Sequence, residues 1–183
     1  YYAAIDGKVE YCNYDLRIVN VLDISGDVDL NIGNIDFNGD VNITGNVITG
    51  VTIRAMGSIY IGGYVEGAVI KSNKDIVLNK GVNANGIGQI EAKGNISARF
   101  FENAIVYAEG DVNAGYILSS KIMALGKVIV QGSRGTIHGG DVTGVMGIET
   151  SNAGNASYAP TNLRIGATKK LRMDYANIIV QLK

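Results

Sequence analysis

The chain has 183 residues and a formal net charge of −1, from 16 Lys and Arg against 17 Asp and Glu. This balance excludes an extended basic surface, so we expect no nucleic-acid partner. We also expect no membrane insertion, since no apolar run approaches the roughly 20 residues of a spanning helix. The single Cys12 and the single His138 exclude an internal disulfide and metal sites with several His or Cys ligands. With 25 Gly, one Pro and 46% hydrophobic residues, the composition favours many short strands and tight turns.

The N-terminal segment, residues 1–22, predicts a β-hairpin cap. Ala3-Ala4-Ile5 and Lys8-Val9-Glu10 flank Asp6-Gly7, a dipeptide typical of the type I′ hairpin turn. The chain starts at Tyr1 without Met or a signal sequence, so we expect it to be a fragment of a longer protein. One Cys and no disulfide framework favour a reducing compartment, the cytoplasm.

Residues 23–150 contain a repeat whose copies mostly start with glycine. Gly39-Asp40-Val41-Asn42-Ile43 recurs five times, with successive starts 18, 17, 20, 16 and 16 residues apart. Positions two and four residues before and after the start are apolar or small, and the positions between them are mostly polar. This alternation predicts a strand on each side of the start, with one face of each strand buried.

The glycine at the start position predicts a corner between the two strands, because Gly adopts positive φ without a Cβ clash. Lys74 replaces glycine in the third copy. Val47, Val65 and Val82, eight residues after a start, indicate a third strand. We therefore predict an all-β fold, a three-sided, single-stranded, right-handed parallel β-helix (β-solenoid) of about six to eight rungs. Its predicted structural corners are Gly39, Gly57, Gly94, Gly110 and Gly126.

Residues 151–183 depart from the repeat. The first eleven, residues 151–161, are rich in Ser, Asn, Gly and Ala and predict a loop. Thr168 is a candidate N-cap. After it, apolar residues recur at the 4, 3 and 4 spacing of a coiled-coil helix, which we expect to continue beyond residue 183. These residues are Leu171, Tyr175, Ile178 and Leu182.

Five segments, taken in chain order, carry a resemblance to a known family. They are Ala4-Ile5-Asp6-Gly7-Lys8-Val9, Gly33-Asn34-Ile35-Asp36-Phe37-Asn38-Gly39-Asp40-Val41, Val65-Glu66-Gly67-Ala68, Phe101-Glu102-Asn103-Ala104 and Gly139-Gly140. On these segments the chain resembles the β-solenoid of the flagellar assembly protein A family over residues 3–182. The resemblance implies a bacterial cytoplasmic protein, an architecture similar to the bactofilins, a coiled coil after the solenoid, and a role in flagellar or polar assembly. Similar sequences usually have glycine where this chain has Lys74, which implies a changed corner or a longer loop in the next unit.

Outward carboxylates raise an alternative function, a carbohydrate-active β-helix enzyme such as a polysaccharide lyase or hydrolase. Glu66 and Glu102 occupy equivalent positions two rungs apart, which is about 10 Å at about 4.8 Å per rung. A retaining glycosidase pair is separated by about 5–5.5 Å and an inverting pair by about 6.5–9.5 Å. His138 has no second His and no Ser or Cys in a nucleophile context. We therefore assign no catalytic residue, no cofactor and no metal, and we predict that the chain is not an enzyme.

Acidic residues also follow the corners. Asp40, Asp75 and Asp111 stand directly after a repeat start, where Asp and Asn side chains usually bond to backbone amides. An early acidic group is a candidate cation site, although it lacks the glycine-rich nonapeptide of calcium-binding β-rolls. That group is Asp23, Asp27, Asp29, Asp36 and Asp40.

Several apolar residues fall at outward positions and form a candidate interaction surface on one or two adjacent sides. They are Tyr60, Tyr107, Met123, Leu125 and Ile129. Apolar groups in neighbouring rungs favour docking of the coiled coil or of a second subunit. We therefore predict a non-catalytic bacterial scaffold that binds protein partners or itself, that is expected to be a homo-oligomer, and that is linked to flagellar or polar assembly.

Overall fold

The computed structural model of the protein describes residues 8–12, 15–132, 135–154, 156 and 159–166, and contains no helix in that part of the chain. The first ten strands are β1 (Lys8–Cys12), β2 (Asp15–Val19), β3 (Val21–Ile24), β4 (Ile35–Phe37), β5 (Asp40–Ile43), β6 (Thr52–Ala55), β7 (Ile59–Ile61), β8 (Tyr64–Glu66), β9 (Val69–Ser72) and β10 (Ile76–Leu78). The next ten are β11 (Gly81–Asn83), β12 (Gln89–Ala92), β13 (Ile96–Glu102), β14 (Ile105–Ala108), β15 (Val112–Ala124), β16 (Lys127–Val130), β17 (Thr136–Gly144), β18 (Gly147–Thr150), β19 (Asn152–Ala153) and β20 (Thr161–Ile165).

The first two strands form an antiparallel hairpin of their own. Lys8 pairs with Val19 and Cys12 pairs with Asp15. The predicted turn at Asp6-Gly7, and the strand expected before it, lie outside the described residues. The predicted capping role of residues 1–22 therefore stays a prediction.

Strands β3–β20 form one system of parallel pairs, wound into about eight coils with three sides. The coils start at β3, β5, β7, β10, β13, β15, β16 and β18, and these strands form side A. Side B contains β8, β11 and β19 together with the end of β13, the middle of β15 and the start of β17. Side C contains β4, β6, β9, β12, β14 and β20 together with the ends of β15 and β17. Strands β13, β15 and β17 each cross at least one corner without a break. The predicted three-sided parallel solenoid is confirmed.

The core is a set of inward columns in which residues of successive coils lie in direct register. On side C, Ile53 pairs with Ile70, which pairs with Ile90, which pairs with Val106. All four are 0–2% exposed. Because each parallel pair stacks like side chains about 4.8 Å apart, aliphatic residues of one column fill the interior without gaps.

The predicted third strand is side B. Val47 bridges to Val28 and to Val65, and Val65 pairs with Val82. In the fifth and sixth coils this strand lies one residue closer to the repeat start, since Val82 pairs with Phe101 and Phe101 pairs with Ile117. The reason is that the corner between sides A and B shortens, and β13 and β15 then run through it as continuous strands.

The solenoid extends further than the sequence predicts. The sequence predicts that the solenoid ends near residue 150 and that residues 151–161 form a loop. Strand β20, which begins at Thr161, still belongs to the array. Gly140 of β17 pairs with Thr161, and Gly144 pairs with Ile165. The irregular glycine spacing after Gly139 hid this side C strand, whose backbone pairing does not need the repeat motif. The helix predicted from Thr168 lies outside the described residues.

Candidate functional site: the outer surface and its aromatic cleft

The five predicted corner glycines lie at one corner, where side C leads into side A. Their backbones stack directly. The Gly110 N–H donates to the Gly94 carbonyl at 3.0 Å, and the Gly126 N–H donates to the Gly110 carbonyl at 3.0 Å. In the same column the Gly94 N–H donates to the Lys74 carbonyl at 2.9 Å, whereas the Lys74 N–H donates to the Ser72 hydroxyl, which donates to the Gly57 carbonyl at 2.7 Å.

The predicted reason for these glycines is wrong. None of the five has a positive φ. Glycine is required because of close approach between coils. A Cβ on Gly110 would lie 2.8 Å from the Gly94 carbonyl oxygen and would collide with the Asn95 side-chain oxygen.

The side chain that crowds each glycine joins successive coils. The Asp75 carboxylate accepts the Asn95 N–H at 2.6 Å, and the Asn95 Oδ1 accepts the Asp111 N–H at 2.8 Å. The Asp111 carboxylate accepts the Lys127 N–H at 2.7 Å. The predicted bonds from Asp and Asn to backbone amides are therefore present, but each amide belongs to the next coil and not to the local turn. These acidic residues hold the stack together.

A simple rule follows at this corner. Glycine stands above each Asp or Asn in the described coils, as at Gly94 above Asp75, because the side-chain oxygen leaves no room for a Cβ. Lys74 lies above Ser58, whose short side chain does not fill that space. Met146 similarly lies above Lys127, with its N–H on the Gly126 carbonyl at 3.0 Å. The rule explains the departure at Lys74.

The candidate interaction residues fall into two groups on different sides. Tyr60 and Ile129 belong to the outward column of side A, where Tyr60 pairs with Val77 in the next coil. Tyr107 and Met123 pair directly in the outward column of side C, and Leu125 follows them at the corner. Tyr60 is 42% exposed, and the other four are partly buried. The five residues do not form one strip.

The charged groups of side C are arranged in pairs. Lys71 Nζ lies 2.6 Å from a Glu91 carboxylate oxygen, and Arg164 lies 3.0 Å from Asp141. At the corner with side A, a hydrogen bond from Lys127 to Glu149, at 2.8 Å, raises the Lys127 pKa. Such exposed pairs contribute little to stability, and each neutralises its own two charges.

The candidate catalytic and metal groups stay apart. Asn83 of the intervening coil pairs with both Glu66 and Glu102, which confirms that two rungs separate the two carboxylates. His138 is a strand residue of side B, paired with Leu118. No group of three or more His, Cys, Asp or Glu side chains lies close enough to hold a metal ion within the described part of the chain.

The early acidic residues have separate hydrogen-bond partners. Asp23 accepts from the Asn42 amide at 2.8 Å, and Asp27 accepts the Asn46 N–H at 2.6 Å. Asp29 accepts the Ile32 N–H at 3.2 Å and the Asn31 side-chain amide at 2.7 Å, and these bonds lower the Asp29 pKa. The carboxylates therefore tie the first loop and neighbouring coils and do not converge on one point.

An open cleft of about 870 Å³ lies along the corner between sides A and B. Its floor is the outward column of side A, in which Val77 pairs with Ser97, Ser97 with Asn113, and Asn113 with Ile129. Arg99, which is exposed, lies at the corner itself. None of the described residues that line this cleft is Asp or Glu.

The wall of the cleft is a short ladder of aromatic rings on side B. Phe100 stacks on Tyr116 with ring centroids 5.1 Å apart and planes 10° apart, and Phe100 lies 6.3 Å from Tyr64. Gly81 stands between Tyr64 and Phe100 in the column, and a Cβ there would lie 2.6 Å from the Phe100 ring. The missing side chain thus lets Phe100 lean toward Tyr64. The Tyr116 hydroxyl is held by Glu102 at 3.0 Å.

These wall residues are absent from the predicted interaction surface. Phe100 and Tyr116 are 16 residues apart, the same spacing as two successive repeat starts. This spacing indicates that the two rings occupy equivalent positions in adjacent coils. Because the corner shortens after the fourth coil, Tyr64 falls at a different offset from its repeat start than Phe100 does. Alignment on the repeat start alone therefore does not bring the three rings together.

Comparison with protein-family models relates this architecture to known proteins. Residues 20–183 match the model of the flagellar assembly protein A beta solenoid domain. The chain belongs to this family. No curated protein and no solved structure matches it.

The match to the flagellar assembly protein A solenoid agrees with the observed fold, since it begins at residue 20 and β3 begins the first coil at Val21. It confirms the family resemblance that the sequence segments carry. In the described residues of this family member, no helix is long and apolar enough to cross a membrane.

Proposed function

We propose that this flagellar assembly protein A domain is a non-catalytic scaffold that binds protein partners, or a second copy of itself, during flagellar or polar assembly in the bacterial cytoplasm. The observation that carries the proposal is the regular stack of outward columns over about eight coils. Parallel pairing holds the outer side chains at a fixed spacing of about 4.8 Å. Little conformational entropy remains to be lost when a partner binds.

The alternative, a carbohydrate-active enzyme, has less support. A hydrolase of that class typically uses two carboxylates facing one sugar-binding cleft. The cleft of about 870 Å³ has no Asp or Glu among its described lining residues, and Glu66 and Glu102 lie two coils apart on side B. The scaffold is therefore the function that this surface supports best.

The deciding experiment uses the full-length protein in its native cell. Chemical cross-linking followed by purification and mass spectrometry is expected to recover proteins of flagellar or polar assembly in a reproducible ratio. The purified protein is incubated in parallel with polygalacturonate and with peptidoglycan, and neither polymer is expected to become shorter. Release of short saccharides by the purified chain would contradict the scaffold and favour the enzyme.

Self-association is tested on the two groups of candidate contact residues. Light scattering of the chain with Tyr107→Ser and Ile129→Ser is expected to give a smaller mass than the unchanged chain, because an apolar contact between copies loses its buried area. Ile87→Ser is the control, because Ile87 is an exposed apolar residue outside both groups, and it is expected to keep the mass of the unchanged chain. If the double variant keeps the mass of the unchanged chain, neither group is a subunit interface.

A further inference from the structure

The cleft between sides A and B has the length and shape of an extended peptide. It reaches from Tyr64 in the third coil to Ile129 in the seventh. Four coil spacings of about 4.8 Å give a length of about 19 Å, which is about six residues of extended chain. Its open volume of about 870 Å³ leaves room for side chains on both faces of such a segment.

The floor offers groups that suit an extended backbone. Val77, which is 39% exposed, and Ile129 are apolar groups at the two ends, and Ser97 and Asn113 lie between them. A hydroxyl and an amide can donate to and accept from the free N–H and C=O groups of an extended segment. A helix pairs its own backbone groups, so it would leave these polar side chains facing an apolar surface.

The cleft is lined by a positive charge, while the nearest carboxylates, Glu102 beside Tyr116 and Glu149 beside Ile129, lie outside its lining. Arg99 lines it, and Lys80 lies at its edge with Nζ 5.0 Å from the centre of the Tyr64 ring. Carboxylates are missing from the described lining residues. On side C, by contrast, Lys71 is neutralised by Glu91 at 2.6 Å. An exposed guanidinium beside aromatic rings binds a carboxylate through two parallel hydrogen bonds.

We propose that this cleft binds an extended segment of a partner protein in which acidic and apolar residues alternate. Its apolar side chains pack on the aromatic ladder and on Val77 and Ile129, and a carboxylate pairs with Arg99. The proposal rests on the proposed scaffold function and specifies the chemistry of one partner class. It assigns the binding to the side A and side B corner and not to side C.

The test measures fluorescence anisotropy with two labelled probes of about ten residues, one alternating Asp with Leu and one alternating Lys with Leu. The acidic probe is expected to bind the unchanged chain, and Arg99→Glu is expected to weaken that binding about tenfold or more, as loss of a charge-assisted hydrogen bond does. Arg54→Glu is the matched control, because Arg54 is an exposed arginine in the outward column of side C. It is expected to leave the affinity unchanged.

The charge reversal separates a lost contact from a damaged fold. Arg99→Glu is expected to bind the basic probe better, and the acidic probe worse, than the unchanged chain does; misfolding would change the binding of both Leu-containing probes in the same direction. Equal binding of both probes, or equal effects of Arg99→Glu and Arg54→Glu, would overturn the proposal while leaving the scaffold function standing. Binding of polygalacturonate in the cleft in place of the acidic probe would overturn it as well. Shortening of that polymer would overturn the scaffold too.

Discussion

At the scale of single residues, the corner glycines and the polar residues after them work as pairs across coils. In the described coils, Asp or Asn at the first position of side A accepts a backbone N–H from the coil above, and the residue placed over it is glycine. Asn95 and Gly110 are one such pair. The residue type at each corner therefore depends on the residue type at the polar position about one repeat earlier, and neither position can be interpreted alone.

Gly110→Ala is therefore expected to destabilise the fold by about 1–3 kcal/mol, the usual cost of forcing a methyl group into a filled space. The new Cβ would meet the Gly94 carbonyl oxygen at 2.8 Å and collide with the Asn95 side chain. Urea denaturation followed by circular dichroism measures the change.

The companion variant tests the pairing itself. Asn95→Ser reproduces the Ser58 and Lys74 arrangement two coils earlier, where a side chain is tolerated above a serine. Alone it should cost about 1 kcal/mol, because the Asp111 N–H loses its acceptor. The double variant should be destabilised by less than the sum of the two single-variant costs, because the serine makes room for the alanine methyl. Additive costs would mean that the Gly94 backbone, and not Asn95, requires glycine.

Asp29 supplies a pH prediction at the same scale. Its bonds from the Ile32 N–H and the Asn31 amide hold its pKa below the ordinary value of 3.8. A lowered folded-state pKa gives stability that is present above pH 3.8 and is lost as the pH falls through the folded pKa. Thermal melts of the unchanged chain and of Asp29→Asn are expected to differ at pH 7 and to converge at more acidic pH. A gap that stays constant down to pH 2.5 would contradict this role.

At the scale of elements, each strand is stable only as a member of its column. Ile70 of β9 is 0% exposed between the coils below and above it, whereas Leu163 of β20 occupies the corresponding inward position in the last coil and is 41% exposed. Equivalent residues of one column are therefore buried to different extents, depending on the coil to which they belong.

Ile70→Ala is expected to cost about 2–5 kcal/mol, because a cavity opens in a column that cannot collapse between paired neighbours. Leu163→Ala is expected to cost about 0.5 kcal/mol or less, as at other exposed positions. The free energy of unfolding of both variants, measured in urea, checks the pair. Similar losses would show that Leu163 is covered in solution by another part of the protein.

At the scale of the whole molecule, the solenoid is a one-dimensional array in which each coil contacts only its neighbours. Side chains in a central coil have a coil on both sides, and those of the last described coil have one. Ile165, in the inward column of side C, is 68% exposed, whereas Ala108 of the same column is 0% exposed. The coil that contains β20 is therefore expected to open more readily than the central coils.

Hydrogen exchange measures this gradient. Amides of β9 and β12, in the third and fourth coils, are expected to exchange about tenfold or more slowly than amides of β20, because their opening requires separation of two coil interfaces. Exchange by mass spectrometry on peptides from these strands gives the comparison. Equal rates along the array would show that the coils open only together.

The sequence predicts the solenoid well and the candidate site only in part. Inward positions such as Ile53 and Ile70 repeat with the alternation of a strand, so their columns are visible in the sequence. The cleft depends on a corner that shortens between the fourth and fifth coils. That change shifts Phe100 and Tyr116 relative to Tyr64, and Gly81 then allows the rings to approach. A repeat of fixed length does not predict this change in the corner.

By itself the sequence determined the family, the period of the coils and the residues that face inward, because stacking one coil on another imposes the same apolar alternation on every unit. The tertiary structure alone decided what the corner glycines do and where the aromatic rings meet. Both depend on contacts between residues about one coil or more apart, and such contacts are set by register between coils. That register is a property of the stack, which no single unit of the sequence contains.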